Sequence, residues 1–122
     1  MNIEILRTHC LSLYNATESL PFGPDHLVLK VENKMFALIP LDGSAPSITL
    51  KCEPEQAIVL RDRYRAVEPA FHFNKRYWNT LYINQDMPAD EVLQWINHSY
   101  TEVIAKLPKR IQAQYTNHIQ HD

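Results

Sequence analysis

Ile3, Leu6, Cys10, Leu11 and Leu13 recur at helical spacing, so the apolar pattern predicts an amphipathic helix over residues 2–14. The pattern then lapses. Residues 15–25 carry Pro21, Gly23 and Pro24 among mostly polar side chains and read as an irregular loop. Residues 26–32 and 35–40 are apolar and β-prone, and Glu32-Asn33-Lys34 between them predicts a tight hairpin. Asp42-Gly43-Ser44-Ala45-Pro46 is a second turn, followed by a strand from Ser47 to Cys52, so three consecutive strands predict an antiparallel meander. Pro54-Glu55-Gln56 opens a helix with proline and acid in the first turn, where the exposed amides and the helix dipole favour them. Ala57, Leu60 and Tyr64 fall on its inner face. Residues 66–72 and 77–84 read as two more strands joined around Phe73-Asn74-Lys75-Arg76. A last long helix starts near Asp86-Met87-Pro88 and continues through Val92, Trp95, Ile96, Ser99, Val103 and Leu107 until Pro108 stops or kinks it. Ile111 and Tyr115 suit a short closing turn, and residues 116–122 form a polar tail expected to be flexible.

The order helix, three strands, helix, two strands, helix lacks regular βαβ alternation. It predicts an α+β two-layer sandwich, with a mainly antiparallel five-stranded sheet and helices packed on it. A chain of 122 residues, 45% hydrophobic, has the size of one domain (expected here over residues 1–115) and enough apolar material for a core without a disulfide or metal staple. No apolar run reaches the ~18 residues of a membrane span, and the N-terminus lacks the basic-then-apolar pattern of a secretory leader. Cys10 and Cys52 lie far apart in no metal-like spacing, and read as two buried thiols in a reducing compartment. A monomer in the cytoplasm is the expectation.

Several chemistries drop out at this level. Gly23 and Gly43 stand alone, so neither a phosphate-cradling P-loop nor a dinucleotide fingerprint can be built, and no Gly-x-Ser-x-Gly elbow is present. Cys10 follows His9, but neighbours on a helix point to different faces, so no nucleophile–base pair is expected. Of His9, His26, His72, His98, His118 and His121, only the last two have ligand-like spacing, and they sit in the tail. Asp90 and Glu91 suit the N-terminus of the last helix better than acid–base chemistry. No catalytic residue, metal site or cofactor is expected.

The net charge of −2 argues against a strong, non-specific polyanion binder. Placement qualifies this, because Arg61, Arg63, Arg65, Lys75 and Arg76 crowd one stretch. Within it, residues 69–80 mix aromatics, bases and amides at a turn between strands. Lys75 and Arg76 suit phosphates, Asn74 and Asn79 suit base edges, and Tyr77 or Trp78 suits stacking. The same residues also have plain structural roles open to them. Trp78 is favoured as a core anchor, His72 as a partner of a backbone carbonyl, and Asn74 as a brace for the turn.

The run Pro69-Ala70-Phe71-His72-Phe73-Asn74-Lys75-Arg76-Tyr77-Trp78 resembles the Pro-x-x-His-x-Asn-Lys-x-x-Trp signature of the MmcQ/YjbR family of small bacterial proteins. Three further segments fit it in order: Thr17 to Phe22, Lys30 to Ala37, and Ser99-Tyr100 followed by Lys106-Leu107-Pro108-Lys109. Together they span about residues 2–110. Tyr77 stands where the family often has His. The resemblance implies an α-β-β-β-α-β-β-α order likened to secretion-chaperone and CyaY-like folds. It also implies a DNA-binding role in a double-wing mode, and no catalytic activity or cofactor.

Three readings follow. The first is weak DNA binding through Lys30, Lys34, Lys51, Arg63, Arg65, Lys75 and Arg76, with wings at Glu32–Lys34 and Phe73–Tyr77. The second is a protein- or peptide-interaction module with an exposed apolar patch around Phe22, Phe71 and Phe73. The third is a small-ligand pocket or enzyme site gathering His72, Asn74, Lys75 and Trp78.

Overall fold

The computed structural model describes residues 1–118. Helix α1 (Ile3–Ser12) starts at Asn2, whose Oδ1 accepts a hydrogen bond from Ile5 N at 3.0 Å. Six strands follow: β1 (Thr17–Ser19), β2 (His26–Val31), β3 (Lys34–Pro40), β4 (Ser47–Lys51), β5 (Val67–Pro69) and β6 (Trp78–Tyr82). Helix α2 (Pro54–Arg63) lies between β4 and β5, and α3 (Ala89–Ile104), α4 (Lys109–Gln112) and a closing 3₁₀ turn (Ala113–Tyr115) complete the chain. The strands form one sheet in the order β1-β2-β3-β4-β6-β5, with every neighbouring pair antiparallel.

The α+β class is as expected, but the sheet has six strands rather than five. The additional strand, β1, lies inside the segment expected to be an irregular loop. All three of its residues are exposed, so it carries no alternating apolar signal, and only its pairing with β2 makes it a strand. A bidentate ion pair from Arg7 of α1 to Glu18, at 2.7 Å, ties it down. The strands expected at 66–72 and 77–84 are shorter, because residues 70–77 leave the sheet as a loop.

Successive residues of a strand point to opposite faces, and here the two faces differ. Leu27, Leu29, Ala37, Ile39, Ile48, Leu50, Val67 and Leu81 share one buried core with the inner sides of the helices. Val92, Ile96, Tyr100 and Ile104 bring α3 across this face, over β3 and β4. A β-bulge opposite Leu29 and Lys30 leaves Phe36 unpaired. Its ring stands edge-on to Tyr100 on this same side, with centroids 5.6 Å apart. Ser99 stitches the layers together: its hydroxyl donates to Phe36 O at 2.6 Å and accepts from Lys51 N at 2.9 Å. Cys10 and Cys52 are buried free thiols, and burial pushes both up to about 12.

The chain end closes the fold near the β2–β3 turn. Glu32 and Asn33 both have positive φ (49° and 61°), the backbone of a tight twisted hairpin turn. Tyr115, fully buried, donates its hydroxyl to the Glu32 carboxylate and accepts from Asn15 Nδ2 at 3.2 Å. The His118 ring, inside the stretch expected to be a tail, stacks on Tyr14 with ring centroids 3.8 Å apart. His121 and the rest of that tail lie outside the described residues. Among the described residues, no helix is long and apolar enough to cross a membrane, and no group of His, Cys, Asp and Glu is placed to hold a metal ion.

Candidate functional site

The signature stretch forms a loop clamped from behind. Pro69 ends β5 opposite Asn79, and Ala70 N donates to Trp78 O at 3.1 Å, so the strand pair narrows into a turn. Asn74 braces that turn as expected. Its Oδ1 accepts from Arg76 N at 3.0 Å, and its carbonyl accepts from Tyr77 N at 3.0 Å. Arg61 of α2 reaches in with one nitrogen, donating to Lys75 O at 2.8 Å and to Asn79 Oδ1 at 3.1 Å. Asn79 in turn donates to Ala57 O at 3.2 Å. Asn79 is therefore buried and committed to structure, and the expectation that it reads base edges is corrected.

Trp78 departs from its expected role too. It is half-buried, stands outside the core cluster and packs against Phe73, with ring centroids 5.3 Å apart. The reason is the period of the strand. Trp78 alternates with the core-facing positions Asn79 and Leu81, so it falls on the face away from the helices. His72 is exposed.

With its back held, the loop turns Phe71, His72 and Phe73 over the open face of the sheet. There they line a cleft of about 710 Å³. Phe22 also lines it, carried by a turn in which Gly23 N donates to Leu20 O and Gly23 adopts φ +99°, which favours glycine. The floor consists of the outward residues of four strands: His26, Leu38, Thr49, Thr80 and Tyr82, with Ser44 and Ala45 closing the far end. Thr49 and Thr80 face each other in register, and their hydroxyls are 2.9 Å apart. Phe22 and Phe71 are 66% and 70% exposed, far more than packing aromatics would be.

The patch foreseen around Phe22, Phe71 and Phe73 is thus real, and it is concave. The pocket foreseen from His72, Asn74, Lys75 and Trp78 assembles only in part. His72 lines the cleft, Lys75 is not among its lining residues but its Nζ lies 5.3 Å from the centroid of the lining Phe71 ring, and Asn74 and Trp78 act as scaffold. Sequence reasoning missed His26, Thr49, Thr80 and Tyr82 as cleft residues. Their only signal was strand alternation, since Thr49, Thr80 and Tyr82 sit between core-facing positions and His26 precedes the core-facing Leu27.

The bases separate into two groups. Antiparallel register places Lys34 at the start of β3, Lys51 at the end of β4 and Trp78 at the start of β6, all at one end of the sheet. Lys30, which pairs with Met35, and the loop bearing Lys75 and Arg76 belong to that same end. Arg63 and Arg65 do not. They precede β5, whose Val67 pairs with Leu81, so they lie toward the opposite end, where Asp86 accepts from Arg65 N and Ala66 N at 2.8 and 2.9 Å. Those two bonds hold the Asp86 carboxyl below its usual range. Partial burial, with Lys106 nearby, holds Lys51 below the ordinary lysine value, and Glu102 partly offsets this. Lys106 was absent from the expected set because it belongs to the distant stretch just after α3.

The class that emerges is a small α+β domain with one antiparallel sheet, helices on one face and a braced aromatic-basic loop on the other. Residues 11–102 match the family model described as YjbR, and the chain belongs to that family. It is 29% identical over 109 residues to the uncharacterized protein YjbR of Escherichia coli K12, covering 89% of this chain and 92% of the relative. It is 32% identical over 92 residues to the uncharacterized protein YbdF of Escherichia coli O157:H7, covering 75% of each. Among solved structures, it superposes on the Deinococcus radiodurans protein DR2400, described with the domain DUF419. The TM-score is 0.87 and the identity 26%, over 99% of this chain and 96% of that one. A Pseudomonas syringae protein follows at TM-score 0.71 and 27% identity, over 84% of this chain and 98% of that one.

Proposed function

We propose that this YjbR-family chain is a non-catalytic DNA-binding protein, gripping phosphates with the end of the sheet that carries Lys30, Lys34, Lys51, Lys75 and Arg76. The observation that supports this reading is the register, which brings two projections to one end of the sheet, the β2–β3 turn flanked by Lys30 and Lys34 and the loop over residues 70–77 bearing Lys75 and Arg76, with Lys51 at the end of β4 between them. Strands lie about 4.8 Å apart, so β2 and β6, three places apart in the sheet, are separated by roughly 15 Å. The acid nearest the first projection, Glu32, is engaged by Tyr115. Arg76 stands over the Tyr77 ring, 5.7 Å from its centroid, on the second.

The test is fluorescence anisotropy with labelled duplex DNA at about 50 and about 200 mM salt. With four or five phosphate contacts, affinity should fall on the order of 10²-fold between the two. Replacing Lys75 and Arg76 together by Ala should weaken binding about tenfold or more. Replacing Arg63 and Arg65, at the other end, should leave it within about twofold. Absence of binding at low salt, or equal loss from both double variants, would remove the sheet-end reading.

A further inference from the structure

We infer that the cleft on the open face of the sheet is a binding site for a small aromatic anion: a planar ring system carrying one carboxylate, sulfonate or phosphate group. Its volume of about 710 Å³ is that of a small-molecule pocket, which typically runs about 300–1,000 Å³. A flat protein interface would need no such depth.

The chemistry of the lining selects the ligand. Phe22 and Phe71 are the two most exposed large apolar side chains among the described residues, and both line the cleft. Exposed phenyl rings gain from a flat partner, by stacking or edge contact, beyond the area they bury. The floor offers the paired Thr49 and Thr80 hydroxyls, which can each donate or accept. No carboxylate lines the cleft, whereas two imidazoles, His26 and His72, do. In the β3–β4 turn, Asp42 is engaged, its Oδ1 accepting from Ser44 N at 3.0 Å. Beside the lining residue Phe71, the Lys75 ammonium lies 5.3 Å from the ring centroid and makes no ion pair among the described residues. An aromatic ring in the cleft, with its negative group toward Lys75, satisfies all of these groups together.

Three probes separate the ring from the charge: 2-naphthoate, 2-naphthylmethanol and cyclohexanecarboxylate. Each is titrated into the whole chain and followed by backbone amide shifts and calorimetry. 2-Naphthoate is expected to saturate a single site, shifting amides of Phe22, Thr49, Phe71, His72 and Thr80, and to bind roughly tenfold more tightly than either other probe. Phe71→Ala should weaken both naphthyl probes by roughly three- to tenfold. Lys75→Ala should bring 2-naphthoate down to the affinity of the alcohol. Both side chains are exposed, so the variants should keep the native amide spectrum, which the same experiment verifies.

Equal affinity for the acid and the alcohol would overturn the anion assignment. Shifts outside the cleft, or no saturation at millimolar probe, would overturn the site. Shifts of the cleft amides by a single-stranded oligonucleotide but by none of the probes would also overturn it, in favour of a strand-binding face. Lys34→Ala keeps this proposal separate from the DNA reading, since it should weaken DNA and leave 2-naphthoate unchanged.

Discussion

The two faces of the sheet are made by the same strands and differ by one residue of phase. On the helix side, Leu29, Ala37, Ile39, Ile48 and Leu50 are essentially solvent-free and join one continuous core. One position along, Leu38, Thr49, Thr80 and Tyr82 belong to a cleft that remains open. The first face is mostly apolar because three helices cover it, and any polar group there must find a partner, as Ser99 and Asn79 do. The second face is flanked only by loops, which contribute edges rather than a lid, so aromatic, hydroxyl and imidazole groups can stand exposed. A covered face constrains residue type through packing. An open face leaves residue type free for recognition.

The contrast predicts unequal costs of substitution. Ile96→Ala, at a fully buried position of α3, should destabilise the fold by about 2–5 kcal/mol, read from the midpoint of urea unfolding. A loss below about 1 kcal/mol would mean that this face is less tightly packed than its burial indicates. Ser99→Ala removes a buried hydroxyl that serves both Phe36 O and Lys51 N. It should cost about 1–3 kcal/mol, with faster amide exchange at Lys51. Phe71→Ala, on the open face and 70% exposed, should change stability by no more than about 0.5 kcal/mol while weakening ligand binding. A large stability loss there would make Phe71 a packing residue and erase the distinction between the faces.

Legibility in the sequence followed the same division. The long elements were readable because they carry strong periodicity. The helical spacing of Val92, Ile96 and Val103, Pro54 opening α2, and the Glu32-Asn33-Lys34 turn all correspond to observed features. Strand β1 was not readable, since three exposed residues have no pattern and their order comes from β2 and Arg7. Trp78 was misplaced because size and hydrophobicity argue for a core position, while its phase on β6 places it opposite. Asn79 looked like a recognition residue and is a buried brace, a role set by Arg61 and Ala57 reaching it from α2.

The sequence alone determined the fold class, the family resemblance through its Pro69–Trp78 signature, and which residue types were available for chemistry. Periodicity and turn residues are local quantities, and the chain carries them before it folds. Only the tertiary structure decided that Phe22 and Phe71 line one cleft, that Thr49 meets Thr80, and that Arg63 and Arg65 part company from Lys75 and Arg76. Those outcomes depend on strand order and register, which arise from pairings between segments far apart in the chain and leave no trace in any single stretch of it.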